Sequence, residues 1–284
     1  LTAREAVVAA GEPVERLYDR LQGSDSGGGN EELVAAAISR SERIVTAIIH
    51  NEFPNHVILS EGWRLRNGQS DREGGGGGAR DRDDAGTGAE QNPEEIGGPY
   101  TWVIDPIDGT GNFAHGNPSF TIALALVDGT DPVVGVVYSP VTDELFHAAK
   151  GQDAYRNGTP IEPTDRDTLA ESMLLSGYDP TGEFLKLFYR QARGVRRLGS
   201  VSLHLCYVAA GSADAHWEYD TYFWDVAAGL CILREAGGRA TDSRGNEYQL
   251  RLDDTGVRAP LLASNGPLHG AVLEGLPDDG FERE

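Results

Sequence analysis

The segment Asp105-Pro106-Ile107-Asp108-Gly109-Thr110 constrains its own backbone and chemistry more tightly than any other stretch of this 284-residue chain. Two carboxylates stand three residues apart, with Pro between them and Gly-Thr after them. Pro106 fixes its φ and lacks an N–H, so a strand ending at Ile104 should stop there and a tight acidic turn should follow. Gly109 lets backbone N–H groups approach a ligand closely, and Thr110 adds a hydroxyl. Carboxylates beside free N–H groups make chemical sense if hard cations sit between the acids and an anion such as phosphate. Solvated Asp-Pro and Asp-Gly turns share this composition, so the segment alone leaves both readings open.

Acids recur elsewhere. Trp224-Asp225-Val226-Ala227-Ala228-Gly229 opens a stretch that runs through Cys231-Ile232-Leu233-Arg234-Glu235-Ala236 to Gly237-Gly238. Apolar residues at 226, 230, 232 and 233 with small residues between them predict a buried, closely packed helix closed by a glycine pair. Asp225 then lies in the first turn, where a carboxylate caps free N–H groups or reaches a metal. Glu61 follows the apolar run Val57-Ile58-Leu59, which reads as a short buried strand ending in an acid.

Together these stretches resemble the inositol monophosphatase superfamily, which includes fructose-1,6-bisphosphatases and nucleotide 3′-phosphatases. The likeness rests on Asp105 to Phe113 (DPIDGTGNF) followed by the WDVAAG segment, in that order. Ile58-Leu59-Ser60-Glu61, Arg197-Leu198-Gly199-Ser200 and Ala213-Asp214-Ala215 support it, and it extends from about residue 31 to Gly270. The resemblance implies an α+β fold, a layered αβαβα sandwich with mixed sheets, and a phosphomonoesterase dependent on two or three Mg²⁺. It places Glu61, Asp105 and the Ile107 carbonyl on a first metal, and Asp105, Asp108 and Asp225 on a second. Glu61 also assists a weaker third, and with Thr110 it orients and deprotonates the attacking water. N–H groups of Gly109 and Thr110 face the phosphate. Gly199, Ser200 and Glu218 line the alcohol side of the pocket, with Glu218 accepting hydrogen bonds from a polyol. Arg193, Arg196 and Arg197 are candidates for a second phosphate, as fructose 1,6-bisphosphate would require.

One departure stands out. The family carries an Asp-Leu-Val-Thr-x-x-Asp run on its second helix, and the matching run here is Glu32-Leu33-Val34-Ala35-Ala36-Ala37-Ile38. The Thr and the final Asp are gone, and Gly62 follows Glu61 where a second Glu is common. Thinner support around the metal ligands predicts weaker metal affinity and slower turnover, since such partners commonly matter about 10- to 100-fold. The rival expectation is a non-catalytic homologue that binds phosphate ligands or partner proteins.

Along the chain, periodicity predicts helices over Ala3–Leu21 and Glu31–Phe53, separated by a glycine-rich break at 23–30. Strand patterns at 102–104, 120–127, 133–138 and 144–148 read as an antiparallel meander. Beyond the 173–176 run, helices over 183–192, 201–210 and 223–236 alternate with short strands near Ala213 and Leu261. The chain reads as one phosphatase unit over 1–284, with an N-terminal half over 1–170 and a C-terminal half over 171–284. Residues 64–98, including five consecutive glycines at 74–78, form a polar insertion expected to be a mobile loop.

Composition narrows the class further. Acidic residues number 45 against 24 basic ones, a formal charge of −21, and Lys150 and Lys186 are the only lysines. This balance argues against a nucleic-acid-binding face, which needs clustered Lys and Arg. High self-repulsion is tolerable where salt screens it, so the composition fits a cytoplasmic protein of a halophilic archaeon. Cys206 and Cys231 fall in apolar helical stretches without metal-ligand spacing, as expected of buried free thiols in a reducing compartment. The sequence shows no apolar run of membrane-spanning length and no charged-then-apolar signal segment, and Leu1 in place of Met reads as a trimmed start. A homodimer is the expected assembly.

Overall fold

A computed structural model describes residues 1–23, 30–61, 100–252 and 259–276. The expected mobile insertion over 64–98 lies outside these residues. Two long helices, α1 (Thr2–Gln22) and α2 (Asn30–Glu52), open the chain and pack on one another. A sheet of seven strands follows in sequence order: β1 (Val57–Ser60), β2 (Tyr100–Asp108), β3 (Thr121–Asp128), β4 (Asp131–Ser139), β5 (Glu144–Ala149), β6 (Tyr155–Arg156) and β7 (Thr159–Pro160). All neighbours are antiparallel except β1 and β2, so the expected meander is present with one parallel strand added at its edge. One turn of helix, α3 (Thr110–Ala114), interrupts the run between β2 and β3.

Strand parity explains the layering. On β3, Ile122 and Leu124 point to one face, while Ala123, Ala125 and Val127 point to the other. The first set packs with Val7, Val14, Ala37, Val45 and Ile49 of α1 and α2. The small alanines of the second set admit two helices against the sheet, α5 (Val201–Ala209) and α6 (Phe223–Glu235). These helices are covered on their far side by a second, mixed sheet in the order β11-β12-β10-β8-β9. Its strands are β8 (Met173–Ser176), β9 (Gly194–Arg196), β10 (Ala215–Thr221), β11 (Arg239–Thr241) and β12 (Ala259–Ser264). The outer face of that sheet, with Leu174, Ala215, Trp217 and Leu262, is closed by Phe184 and Phe188 of α4 (Glu183–Phe188) and Val272 of α7 (His269–Gly275). The result is an αβαβα sandwich of mixed sheets, as the resemblance implied. No helix among the described residues is long and apolar enough to cross a membrane.

Two sequence expectations change. The strand does not stop at Ile104. β2 continues through Pro106 to Asp108, with Asp105 opposite Ala123 and Asp108 opposite Thr121. Two residues on β2 therefore face one on β3, a bulge that places Pro106 where no ladder N–H is needed. The helix expected over 183–192 ends at Phe188. Its anchors Phe184 and Phe188 are fully buried, while Arg193 N–H is recruited by Ser172 C=O as the chain turns to lay β9 beside β8.

Candidate active site

The site forms where β1, β2, α5 and α6 converge. Asp105 and Asp108 sit on either side of the β2 bulge, and Asp225 occupies the third position of α6. One oxygen from each of the three lies within 4.8 Å of the others. Asp105 and Asp108 are buried and Asp225 is half-buried. Glu61, directly after β1, contributes its charge to both Asp105 and Asp225. The four acids picked from sequence thus come together from three separate chain segments.

Each carboxylate splits its duties. Asp105 Oδ1 accepts from Ile107 N–H at 3.1 Å across the bulge. Asp225 Oδ2 accepts from Tyr222 N–H at 3.1 Å, so it caps α6 and faces the cluster at once. Asp108 is the most heavily held: its Oδ2 accepts from Ser200 Oγ (2.7 Å), Ser202 N–H (2.7 Å) and Ser202 Oγ (2.5 Å). These donors come from the start of α5, and they consume one carboxylate oxygen while leaving Oδ1 with a single weak contact to Val201 N–H at 3.3 Å. The 199–202 loop is thereby fixed to the acidic motif.

Electrostatics says what this arrangement requires. Burial drives the Asp105 carboxyl well above its ordinary range, and the charges of Glu61, Asp108 and Asp225 push it the same way. Asp225 is raised well above its ordinary value by burial and then by Asp108. Asp108 is raised by burial, with the Ser202 and Ser200 hydrogen bonds opposing the shift. Three desolvated like charges with hard oxygen donors are unfavourable alone and become favourable around a divalent cation of the Mg²⁺, Mn²⁺ or Ca²⁺ type. The donor set fits such an ion.

Gly109 carries the backbone from bulge to helix. Its φ of +95° is closed to ordinary L residues, and a Cβ would lie 3.0 Å from Ser119 O and 3.1 Å from Gly199 O. Thr110 then begins α3. Asn112 Nδ2 donates to both Ser119 O and Leu198 O at 2.6 Å, tying this helix to the Leu198–Ser200 loop. Ser200 is buried, with its hydroxyl committed to Asp108 and to the cap of α5.

Glu218 is no surface acid. It is 3 % exposed on β10, one oxygen accepts from Tyr178 N–H, and burial pushes the carboxyl up to about 8. Arg193, Arg196 and Arg197 are exposed, and Arg197 bears electrostatically on Glu218. In the departed second-helix run, Ile38 packs against the α1–α2 core where the family carries an acid, while Ser60 Oγ donates to Glu42 Oε1 at 2.5 Å. Sequence reasoning passed over Ser202, His204 and His216. Each sits in an apolar run, and only the fold shows Ser202 on Asp108 and the two imidazoles beside Glu218.

Comparisons with known proteins agree with this geometry. The model of the inositol monophosphatase family matches residues 1–276. An inositol-1-monophosphatase of Synechocystis sp. is 34% identical over 283 residues, covering 96% of this chain and 87% of that protein. A fructose-1,6-bisphosphatase/inositol-1-monophosphatase of Aquifex aeolicus is 29% identical, covering 96% and 92%. The solved inositol monophosphatase of Anabaena (Nostoc) sp. superposes with a TM-score of 0.74 at 32% identity, covering 96% of this chain and 92% of that one. With its acids gathered on the β2 bulge and at the start of α6, this chain belongs to the inositol monophosphatase family of metal-dependent phosphatases.

Proposed function

We propose that the chain hydrolyses the phosphomonoester of a small polyol or sugar, with inositol 1-phosphate as first substrate and Mg²⁺ as the ion. The observation that carries this is the convergence of Asp105, Asp108 and Asp225 within 4.8 Å, with Glu61 bearing on two of them. Glu61, Asp105, Asp108, Asp225 and the Ile107 carbonyl would hold two or three Mg²⁺. When bound, the ions would polarise the phosphate and lower the pKa of water at the site. Thr110 Oγ1 and the Glu61 carboxylate would orient that water and take its proton, with Glu61 as the final acceptor. Backbone N–H groups of Gly109 and Thr110 would hold phosphate oxygens. Gly199 would line the alcohol side, Ser200 would keep its loop on Asp108, and Glu218 would meet ring hydroxyls.

Fructose 1,6-bisphosphate is the second reading, favoured by the name of the Aquifex aeolicus relative and by exposed Arg193, Arg196 and Arg197. A relative in Xylella fastidiosa named Nus factor SuhB is 37% identical, covering 64% of this chain and 70% of that protein. Phosphate release from inositol 1-phosphate, fructose 1,6-bisphosphate and a nucleoside 3′-phosphate, with and without Mg²⁺ and at low and molar KCl, tests the proposal. Mg²⁺-dependent turnover of inositol 1-phosphate above the others supports it. Absence of turnover on all three with the ion bound would leave the non-catalytic homologue. The same reading expects a cytoplasmic homodimer, which light scattering tests for assembly.

A further inference from the structure

A second group of side chains able to hold a metal lies beside the acids, sharing none of their ligands. His204 on α5 and His216 and Glu218 on β10 each bring one nitrogen or oxygen to within 4.8 Å of the others. Residues 216 and 218 share one face of the strand, and the His204 and His216 rings stand 4.6 Å apart between centroids. All three side chains are buried, at 0, 0 and 3 % exposure.

The cluster is polar and unsatisfied. His204 Nδ1, both ring nitrogens of His216 and Glu218 Oε2 are buried without a hydrogen-bond partner. His216 Nε2 and Glu218 Oε2 are 3.6 Å apart, beyond hydrogen-bond distance. The Leu175 backbone, in register with His216 on β8, favours the protonated ring and opposes the downward shift that burial imposes. Buried polar atoms are almost always paired, and a group of them facing one another at this spacing calls for something between them.

We propose that His204, His216 and Glu218 form a binding site for one divalent transition-metal ion of the Zn²⁺ class. Two imidazoles and a carboxylate suit such an ion far better than Mg²⁺. Bonds of about 2.0–2.2 Å in tetrahedral geometry set neighbouring ligand atoms about 3.3–3.5 Å apart. The 3.6 Å already present between His216 and Glu218 needs only a small contraction. Burial keeps both histidines neutral, His204 down to about 3, so their lone pairs are free for a metal. Glu218 would release a proton to solvent as the ion enters. Arg197 opposes a cation here, while Asp108 and Asp220 bear on Glu218 with the opposite sign. Gly177 makes the seat possible: a Cβ there would fall 1.4 Å from Glu218 Oε2.

Occupancy has a structural consequence. His204 Nε2 accepts from Leu198 N–H at 3.2 Å, which places the ring proton on Nδ1. Ligation through Nδ1 moves that proton to Nε2 and ends the Leu198 bond. The ion would therefore loosen the Leu198–Ser200 loop and withdraw Glu218 from any substrate, making the site an inhibitory one.

Chelator-stripped wild-type protein in excess Mg²⁺, titrated with Co²⁺ and followed by visible absorption and amide hydrogen exchange, tests this. The expected result is one Co²⁺ per chain showing intense d–d bands of a four- or five-coordinate centre, with faster exchange at Leu198. Oxygen-ligated, six-coordinate Co²⁺ at the acids gives only weak bands. His204→Gln and His216→Gln should each weaken the band-forming binding roughly tenfold or more. Failure of the wild type to develop intense bands overturns the site, whatever the variants do. Bands that survive in both folded variants, or Leu198 exchange unchanged by Co²⁺, overturn the ligand assignment. None of these readouts depends on the substrate.

Discussion

Replacing Asp105 with Asn should stabilise the metal-free protein while removing its response to Mg²⁺. Asp105 is 2 % exposed and faces Asp108 and Asp225, and Glu61 adds its charge. Two unit charges at 4.8 Å repel by about 3.5 kcal/mol at an effective dielectric of 20, so two such pairs approach 7 kcal/mol. The carboxyl escapes the full penalty by taking up a proton. At pH 7, doing so from an ordinary pKa near 3.9 costs about 4 kcal/mol, which caps what Asn can recover. Asn keeps an oxygen for Ile107 N–H, so little hydrogen bonding is lost. A gain of about 1–4 kcal/mol corresponds to a rise in Tm of a few to roughly ten degrees in a chain of this size. A raised carboxyl stabilises the folded state at low pH and loses that contribution as pH climbs through the window above 3.9. At pH 5 the cap falls to about 1.5 kcal/mol, so the gain must shrink. Calorimetry in EDTA and in Mg²⁺ at both pH values, with phosphate release alongside, measures all of this. The Mg²⁺-induced rise in Tm and most turnover should vanish in the variant. A lower Tm in EDTA, or an intact Mg²⁺ response, would refute the shared-cation reasoning.

Glu218→Gln should flatten the pH dependence of metal-free stability, because the native carboxyl, held up to about 8, loses roughly 1.4 kcal/mol per unit as pH rises from about 4.5 to 8; Tm against pH in EDTA reads it, and parallel curves for both proteins would contradict it. On inositol 1-phosphate the same change should lower kcat/KM little at pH 7 and about fivefold above pH 8, where the charged acceptor is worth on the order of 1 kcal/mol more than the amide. Fructose 1,6-bisphosphate should respond oppositely, and equal slowing of both would make Glu218 structural. Gly109→Ala should cost about 1–3 kcal/mol through its φ of +95° and its crowding against Ser119 and Gly199, and turnover should fall with it; denaturant melts and phosphate release check this. With a formal charge of −21, Tm should rise between dilute buffer and molar KCl, and a flat curve would count against adaptation to salt.

Local pattern carried the element inventory because helix and strand periods are written into nearby residues. Helices α1, α2, α5 and α6 and strands β3 to β5 lie within a few residues of their expected bounds. Family motifs pointed to the acids, and Asp105, Asp108 and Asp225 do meet within 4.8 Å of one another. What failed was decided by partners distant in sequence. Pro106 was expected to end a strand, yet β3 offers a bulge in which its missing N–H goes unnoticed. The resemblance had singled out Glu218, but its desolvation became visible only once β10 was buried between β12, β8 and α5. Ser202 gave no local sign of holding Asp108, 94 residues away. The sequence by itself determined which residues prefer helix or strand and which acids are available for a cation. Tertiary structure alone decided desolvation, because an acid's or imidazole's surroundings come from segments that meet only when the two sheets close on α5 and α6.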